Sequence, residues 1–299
     1  MKRGIPCQGV EPAWQCAQRA RERGVPTLNE FFGRATAEKI VQEHGQANLL
    51  LGNNVLAHVP DVNDFVAGMK TLLAPGGVIT MEFPHLVQLV EENQFDTIYH
   101  EHYSYYTFSV AARIFAAHGL SMFDVEELPT HGGSLRIYAQ HAEQPAFSVS
   151  PAVNGLLQRE RSDGYCSLEK YASFGTRVAQ TKRKLLTTLV ELSEQGKSVV
   201  GYGAPGKGNT LLNYCGIGSD LLPYTVDRNP VKQGTYTPGM RIPIHAPEQI
   251  AHTRPDYVLI LPWNLRDEIT EQISFIRNWG GRFIVPIPEV EVIDPKQHE

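Results

Sequence analysis

Along the first half of the chain, short apolar runs alternate with amphipathic stretches, the pattern of a mostly parallel sheet with helices on its faces. The runs PCQGV (6–10), NLLLG (48–52), GVITMEF (77–83), MFDVEEL (122–128) and SLRIYAQ (134–140) predict strands. Helical periodicity predicts helices over 13–23, 36–43, 62–73 and 109–118, with Asp61 where an N-cap belongs and APGG at 74–77 closing the third of them. The last two strands, joined by PTHGG, predict an antiparallel hairpin at the edge of the sheet. A polar stretch at 141–155 then marks a boundary. Beyond it, 162–195 reads as one long helix or two close ones, with Leu168, Tyr171, Phe174, Val178, Leu185, Leu189 and Leu192 on a helical period. A second alternation follows, with strands at 198–203, 224–227, 257–261 and 282–287 and helices from Gly206, near 247–251 and over 264–278. No short-period repeat interrupts it.

The 299 residues therefore divide into two α/β domains, 1–145 and 197–299, joined by a helical connector at 146–196. Composition narrows the function classes. With 42% hydrophobic and 20% charged residues and a formal net charge of -5, the chain reads as globular and lacks a polyanion-binding balance. Lys and Arg are scattered singly apart from TKRK at 181–184, so nucleic acid is not an expected partner. The four cysteines, Cys7, Cys16, Cys166 and Cys215, form neither a disulfide framework nor a zinc ribbon. No run approaches the roughly 20 apolar residues that span a bilayer, and no apolar segment follows MKRGIPCQG. No membrane association is expected, and the cytoplasm is the expected setting.

Chemistry concentrates in a few segments. GVEP (9–12) sets Glu11 directly after a strand, where a carboxylate can accept from ribose hydroxyls or simply favour a helix N-terminus through its dipole. FDTIYHEHYSYY (95–106) carries two imidazoles two residues apart, which share a face only on a strand; no further ligands stand nearby, so a metal cage is disfavoured against acid/base work or aromatic packing. GYGAPGKG (201–208) follows a strand and opens a helix, so its free N–H groups, the helix N-terminus and Lys207 suit a phosphate; Gly201, Gly203 and Gly206 also fit the spacing of a dinucleotide turn. In VDRNPVKQGTYTPG (226–239), Asp227, Asn229 and Lys232 stand where a nucleotide or ribose could be met, though any loop has such residues. His131, in THGGS, is either a sugar contact or a polar hairpin tip.

GVEP, NLLLGNNVLAHVPD (48–61), LLAPGGVITMEFP and FDTIYHEHYSYY together resemble the class I S-adenosylmethionine-dependent methyltransferases, specifically the sugar-nucleotide C-methyltransferase family. The resemblance continues through LPTHGGSLRIYA and GYGAPGKGNTLLNYCG to VDRNPVKQGTYTPGMRIPI, nearly the whole chain. It implies an α/β fold, a Rossmann-like methyltransferase core at 1–145, and a second Rossmann-like domain at 197–299 that holds a sugar nucleotide. It further implies S-adenosylmethionine as donor, contacted by Glu11, Pro12, Asn53 and Asn54. The implied acceptor is a 4-keto-deoxy-sugar on thymidine diphosphate. His102 is then the base, with Tyr99 and Glu101 orienting the sugar and His58 serving the oxyanion or a proton relay, the two imidazoles being open to exchange of roles. His131, Gly203, Gly206, Lys207, Asn209, Asp227, Asn229 and Lys232 are the implied acceptor contacts. Members of the family carry a zinc module and a first strand with a glycine-rich turn ahead of the position of Gly9, and these are not in this sequence. The expected core sheet is therefore incomplete, its second and fourth strands lacking a shared neighbour. That admits a separate chain supplying the part, or a sugar-nucleotide-binding protein that has lost donor binding.

Overall fold

The computed structural model describes residues 4–293; residues 1–3 and 294–299, the outer ends of the first and last predicted domains, lie outside the described residues. In chain order the strands are β1 (Gly9–Val10), β2 (Thr27–Leu28), β3 (Ala47–Asn53), β4 (Leu73–Pro84), β5 (Leu120–Leu128), β6 (Ser134–His141), β7 (Val199–Tyr202), β8 (Thr225–Val226), β9 (Ile244–His245), β10 (Tyr257–Ile260), β11 (Arg282–Val285) and β12 (Glu291–Ile293). The chain divides into two units. One comprises Met1–His85, His102–Pro129 and Ser134–Asp163; the other Leu86–Glu101, Thr130–Gly133 and Gly164–Glu299.

In the first unit β4 is the central strand, buried on both faces from Ile79 to Phe83. It pairs parallel with β3 and antiparallel with β6, and β5 completes the order β3-β4-β6-β5. The β5–β6 hairpin closes at Leu128 opposite Ser134, as the PTHGG turn predicts. Ile79, Met81 and Phe83 pack with Leu135, Ile137, Phe108 and Phe115 into the core, whose apolar burial stabilises the sheet. Asp61 caps helix Val62–Leu72, its side chain accepting from the Asp64 N–H at 3.0 Å.

Among the described residues β1 and β2 pair only with each other, in parallel, Gly9 opposite Thr27 and Val10 opposite Leu28. Among the described residues β3 pairs with β4 alone, so its other edge presents a row of ladder donors and acceptors, and Leu49 and Leu51 of this strand are exposed (58% and 70%).

The second unit holds a six-stranded sheet ordered β12-β11-β10-β7-β8-β9, parallel except for the last pair, β11 and β12. Strand order reverses at β7: β8 and β9 lie to one side, β10 and β11 to the other. In doubly wound sheets ligands bind outside the carboxyl ends at such a switch point. Val200, Val226, Val258, Leu259, Ile260, Phe283 and Ile284 form its core, with Leu185, Leu189 and Leu192 of helix Phe174–Glu194.

Several elements differ from expectation for local reasons. The strand predicted at 6–10 reduces to Gly9–Val10, since β2 offers only two partners. The polar stretch at 141–155 already holds the start of helix Pro151–Ser162, opened by Ser150, whose hydroxyl accepts from the Ala152 N–H, and by Pro151 at its first position. Of the two alternatives for 162–195, the structure has two close helices, Glu169–Ala172 and Phe174–Glu194, starting later than 162 because Gly164 turns at a φ of +86°. The predicted helix at 264–278 is a short α-helix, Arg266–Gln272, between two tighter turns. β2, β9, β12 and helix Leu86–Glu91 have no counterpart in the sequence reading, being too short for a periodic signal. No helix among the described residues is long and apolar enough to cross a membrane.

Candidate functional site

In the first unit the predicted residues gather at strand carboxyl ends. Glu11 follows β1 and is half-buried; its Oε1 accepts from the Ala13 N–H at 2.8 Å, so it serves the N-terminus of helix Trp14–Glu22. A carboxylate has about four acceptor sites, so that bond leaves capacity for ribose hydroxyls. The Asn29 side chain brackets this corner, donating to the carbonyls of Glu11 (2.9 Å) and of exposed Pro12 (2.8 Å). Asn53 ends β3, exposed and opposite Glu82; Asn54 turns into the left-handed region (φ +56°), its N–H donating to the Glu82 carbonyl at 2.7 Å. These groups suit the polar parts of an adenosyl donor.

The turn after β3 also carries His58, exposed at the end of the tight turn Leu56–His58. The segment after residue 101 is pinned to that turn by the Tyr103 N–H, which donates to the Ala57 carbonyl at 2.8 Å. As a result the rings of His58 and His102 stand edge to face, centroids 4.7 Å apart, with Tyr105 at 5.8 Å from His102. The motif is thus shared out: His102 falls in the first unit, Tyr99 and Glu101 in the second.

In the second unit β7 runs into the glycine-rich turn, and helix Gly206–Cys215 begins there. Gly203 adopts φ +87°, and a Cβ on it would lie 2.6 Å from Pro262 Cδ, so the turns after β7 and β10 close on each other only through glycine. Asp227, at the carboxyl end of β8, binds the turn: its Oδ2 accepts from the Ala204 N–H and its Oδ1 from the Asn229 N–H, both at 2.8 Å. Lys232 donates to the Ala204 carbonyl (2.8 Å) and lies 3.5 Å from Asp227. Asn209, in the first turn of the helix, keeps a buried Oδ1 with no hydrogen-bond partner. The half-buried Tyr99 ring covers Gly206, 3.8 Å from where a Cβ would stand; Glu101 is exposed. His131, exposed at φ +57°, rides the short turn Thr130–Gly132.

Lys207 is not a bare point charge. Its ammonium sits 4.1 Å from the centroid of the Trp263 ring and bonds Asn264 Oδ1. Trp263 Nε1 donates at 2.7 Å to Oδ2 of Asp96, which is fully buried. Burial pushes Asp96 up to about 7, against the pull of Lys207 and the Trp263 bond; burial pushes Lys207 down to about 8, against the pull of Asp96. Asp96, Trp263, Asn264 and Gln94 escaped the sequence reading. The available signal was position: PWN follows strand 257–261 at what becomes the β10 side of the switch point.

The glycine-rich turn after β7 and the polar side chains after β1 and β3 thus stand at strand carboxyl ends, where α/β sheets bind ligands. The family model for the C-methyltransferase C-terminal domain matches residues 129–288, and a methyltransferase domain model matches 2–125. The C-methyltransferase NovU of Streptomyces niveus is 42% identical over 286 residues, covering 95% of this chain and 68% of that protein. The chain belongs to the S-adenosylmethionine-dependent C-methyltransferase family. Among solved structures, a magnesium protoporphyrin IX methyltransferase from Synechocystis with bound S-adenosylmethionine aligns at TM-score 0.33 and 12% identity over 46% of this chain and 60% of that one. A 1,6-didemethyltoxoflavin-N1-methyltransferase from Burkholderia thailandensis aligns at 0.33 and 19% over 47% and 63%. Likenesses that distant carry no argument about the site.

Proposed function

We propose that the chain methylates the carbon beside the ketone of a nucleotide-linked sugar, a 4-keto-deoxy-sugar on thymidine diphosphate, in the cytoplasm. The observation that carries this reading is the edge-to-face pair of His58 and His102 at the carboxyl end of β3. Methylating such a carbon requires removing its α-proton and stabilising the enolate, and imidazole, with an ordinary pKa of roughly 6.5, is suited to the task. In this reading His102 takes the proton, the C–H electron pair passes into the enolate, and His58 donates to the oxyanion or relays the proton. When bound, S-adenosylmethionine supplies the electrophilic methyl; Glu11 accepts from its ribose, beside Pro12, Asn53 and Asn54. The acceptor's diphosphate lies on the turn after β7 with Lys207, Gly203, Gly206 and Asn209. Asp227, Asn229 and Lys232 support its nucleotide, while Tyr99, Glu101 and His131 contact the sugar.

The test is exchange of the sugar's α-proton with deuterated solvent, followed by NMR. His102→Ala should abolish exchange, and His58→Ala should slow it. Full exchange in the first variant with none in the second transfers the base to His58; full exchange in both ends the imidazole reading.

The open edge of β3 favours a second reading, in which donor binding depends on a further parallel strand from another chain or another segment, and the chain by itself binds sugar nucleotide without turnover. Calorimetric titration separates the two. Thymidine diphosphate binding with no S-adenosylhomocysteine binding supports the second; micromolar affinity for both supports the first.

A further inference from the structure

Four short segments of the second unit meet around one indole. Trp263 is buried; Asp96 accepts from its Nε1–H at 2.7 Å on one side, and Lys207 stands over its face at 4.1 Å on the other. Its far edge supports the 130–133 loop, where a Cβ on Gly132 would fall 2.7 Å from Trp263 Cη2 and 2.9 Å from Gln94 Nε2. Gln94, buried beside it, donates to the Gly132 carbonyl at 2.6 Å. From Gln94 the chain runs through Asp96 to Tyr99, whose ring covers Gly206.

We infer that Asp96 is a positioning residue for acceptor binding, its buried carboxylate fixing the indole that carries Lys207 and props the loop bearing His131. The inference rests on the diphosphate reading of the turn after β7.

The indole N–H needs only one neutral acceptor, which Asn would provide as well, so the charge calls for a separate account. A fully buried carboxylate is costly unless a partner compensates it, and its Oδ1 has no hydrogen-bond partner. Lys207 is the compensating charge. The groups facing Asp96 are Lys207 and the Cys215 thiol, the latter pushed up to about 11 by burial, with Lys182 opposing that rise and Asp96 adding to it. The ammonium is half-withdrawn from water and hydrogen-bonds Asn264, and the nearby Asp96 is the charge that opposes the loss of its proton. An anion arriving at the turn after β7 then meets a cation already aimed, and ordering that costs affinity elsewhere is complete beforehand.

The test uses the full chain. Asp96→Asn keeps an acceptor for the indole and removes the charge. With 13C-labelled lysine, the Lys207 Cε resonance, assigned by its loss in Lys207→Arg, should titrate at least about one unit lower in Asp96→Asn than in the unmutated chain. Calorimetric affinity for thymidine diphosphate should fall about tenfold at pH 8.5 and distinctly less at pH 6.5, where the lysine stays protonated without help. Trp263→Phe, which retains the ring and drops the N–H, should weaken binding in the same direction. An unchanged Lys207 titration in Asp96→Asn, or unchanged affinity in both variants, overturns the inference. Undiminished binding by Lys207→Met, with the lysine's titration still tied to residue 96, instead overturns the diphosphate reading beneath it.

Discussion

Glu160 shows how much one side chain can organise. Fully inside the first unit, it accepts from the Phe108 N–H at 2.6 Å, the Ser109 N–H at 2.8 Å and meets His85 Nε2 at 2.8 Å. The first two are among the N–H groups that helix Phe108–Ala117 cannot satisfy internally. Burial alone would raise its pKa, but the bonds from His85, Ser109 and Phe108 outweigh that and hold it below the ordinary 4.5. A depressed carboxylate lends stability that is complete above its unfolded pKa and fades as pH falls through the folded one. Glu160→Gln should therefore cost about 1–3 kcal/mol at pH 7, read from urea midpoints, with the gap between the two chains closing below about pH 4. Gly132→Ala offers a second check: at φ +91°, with Trp263 and Gln94 inside contact distance, it should lose about 1–3 kcal/mol. Gly132 was legible only as part of the PTHGG turn, and the role of Glu160 was not legible at all. Glu160 falls between the polar stretch at 141–155 and the helix expected from 162, and nothing local says that a strand end and a helix start will fold over it. His58 and His102 were implied as partners only by the family resemblance; their 4.7 Å meeting depends on a backbone bond from Tyr103 to Ala57 that no periodicity announces.

The turn after β7 is held from outside more than from within. Its helix has no side-chain cap, and the work falls to Asp227, which takes the Ala204 N–H and orders its own loop through the Asn229 N–H. In the sequence Asp227 was read as a nucleotide contact; the structure adds a bracing role at the same position. Asp227→Ala should free the Ala204 N–H and loosen the whole turn. The expected outcome is a stability loss of about 1–3 kcal/mol by thermal melt and roughly tenfold weaker binding of thymidine diphosphate. Asp61→Ala, by contrast, unties an ordinary N-cap and should cost only about 1 kcal/mol without touching ligand affinity. Elements with a full period and punctuation, such as Val62–Leu72 and the β5–β6 hairpin, could be read directly. Two-residue strands such as β2 and β9 exist because a neighbour's edge is available, which is tertiary information.

Each unit has its own core, and the chain weaves between them: 86–101 and 130–133 lie with the second unit although their flanks belong to the first. A contiguous reading cannot show this, since the excursions are short and carry no composition break. The weave matters for the division of labour, because it delivers Tyr99, Glu101 and His131 to the unit that holds the glycine-rich turn while His102 stays with His58. Ligand-induced protection of backbone amides should follow that division. Hydrogen exchange read by mass spectrometry should slow over 201–209, 227–232 and 94–101 when thymidine diphosphate is added, because a ligand that binds only the folded state raises the cost of local opening by RT ln(1 + [L]/Kd), about 2.7 kcal/mol at a hundredfold excess over Kd. S-adenosylhomocysteine should instead slow exchange over 9–13 and 52–58. Protection of 130–133 by the nucleotide alone would tie that loop to the base-diphosphate end through Trp263, whereas protection only by a sugar-bearing nucleotide would assign His131 to the sugar. Slowing over 9–13 by thymidine diphosphate, with none at 201–209, would reverse the assignment of the two ligands to the two units.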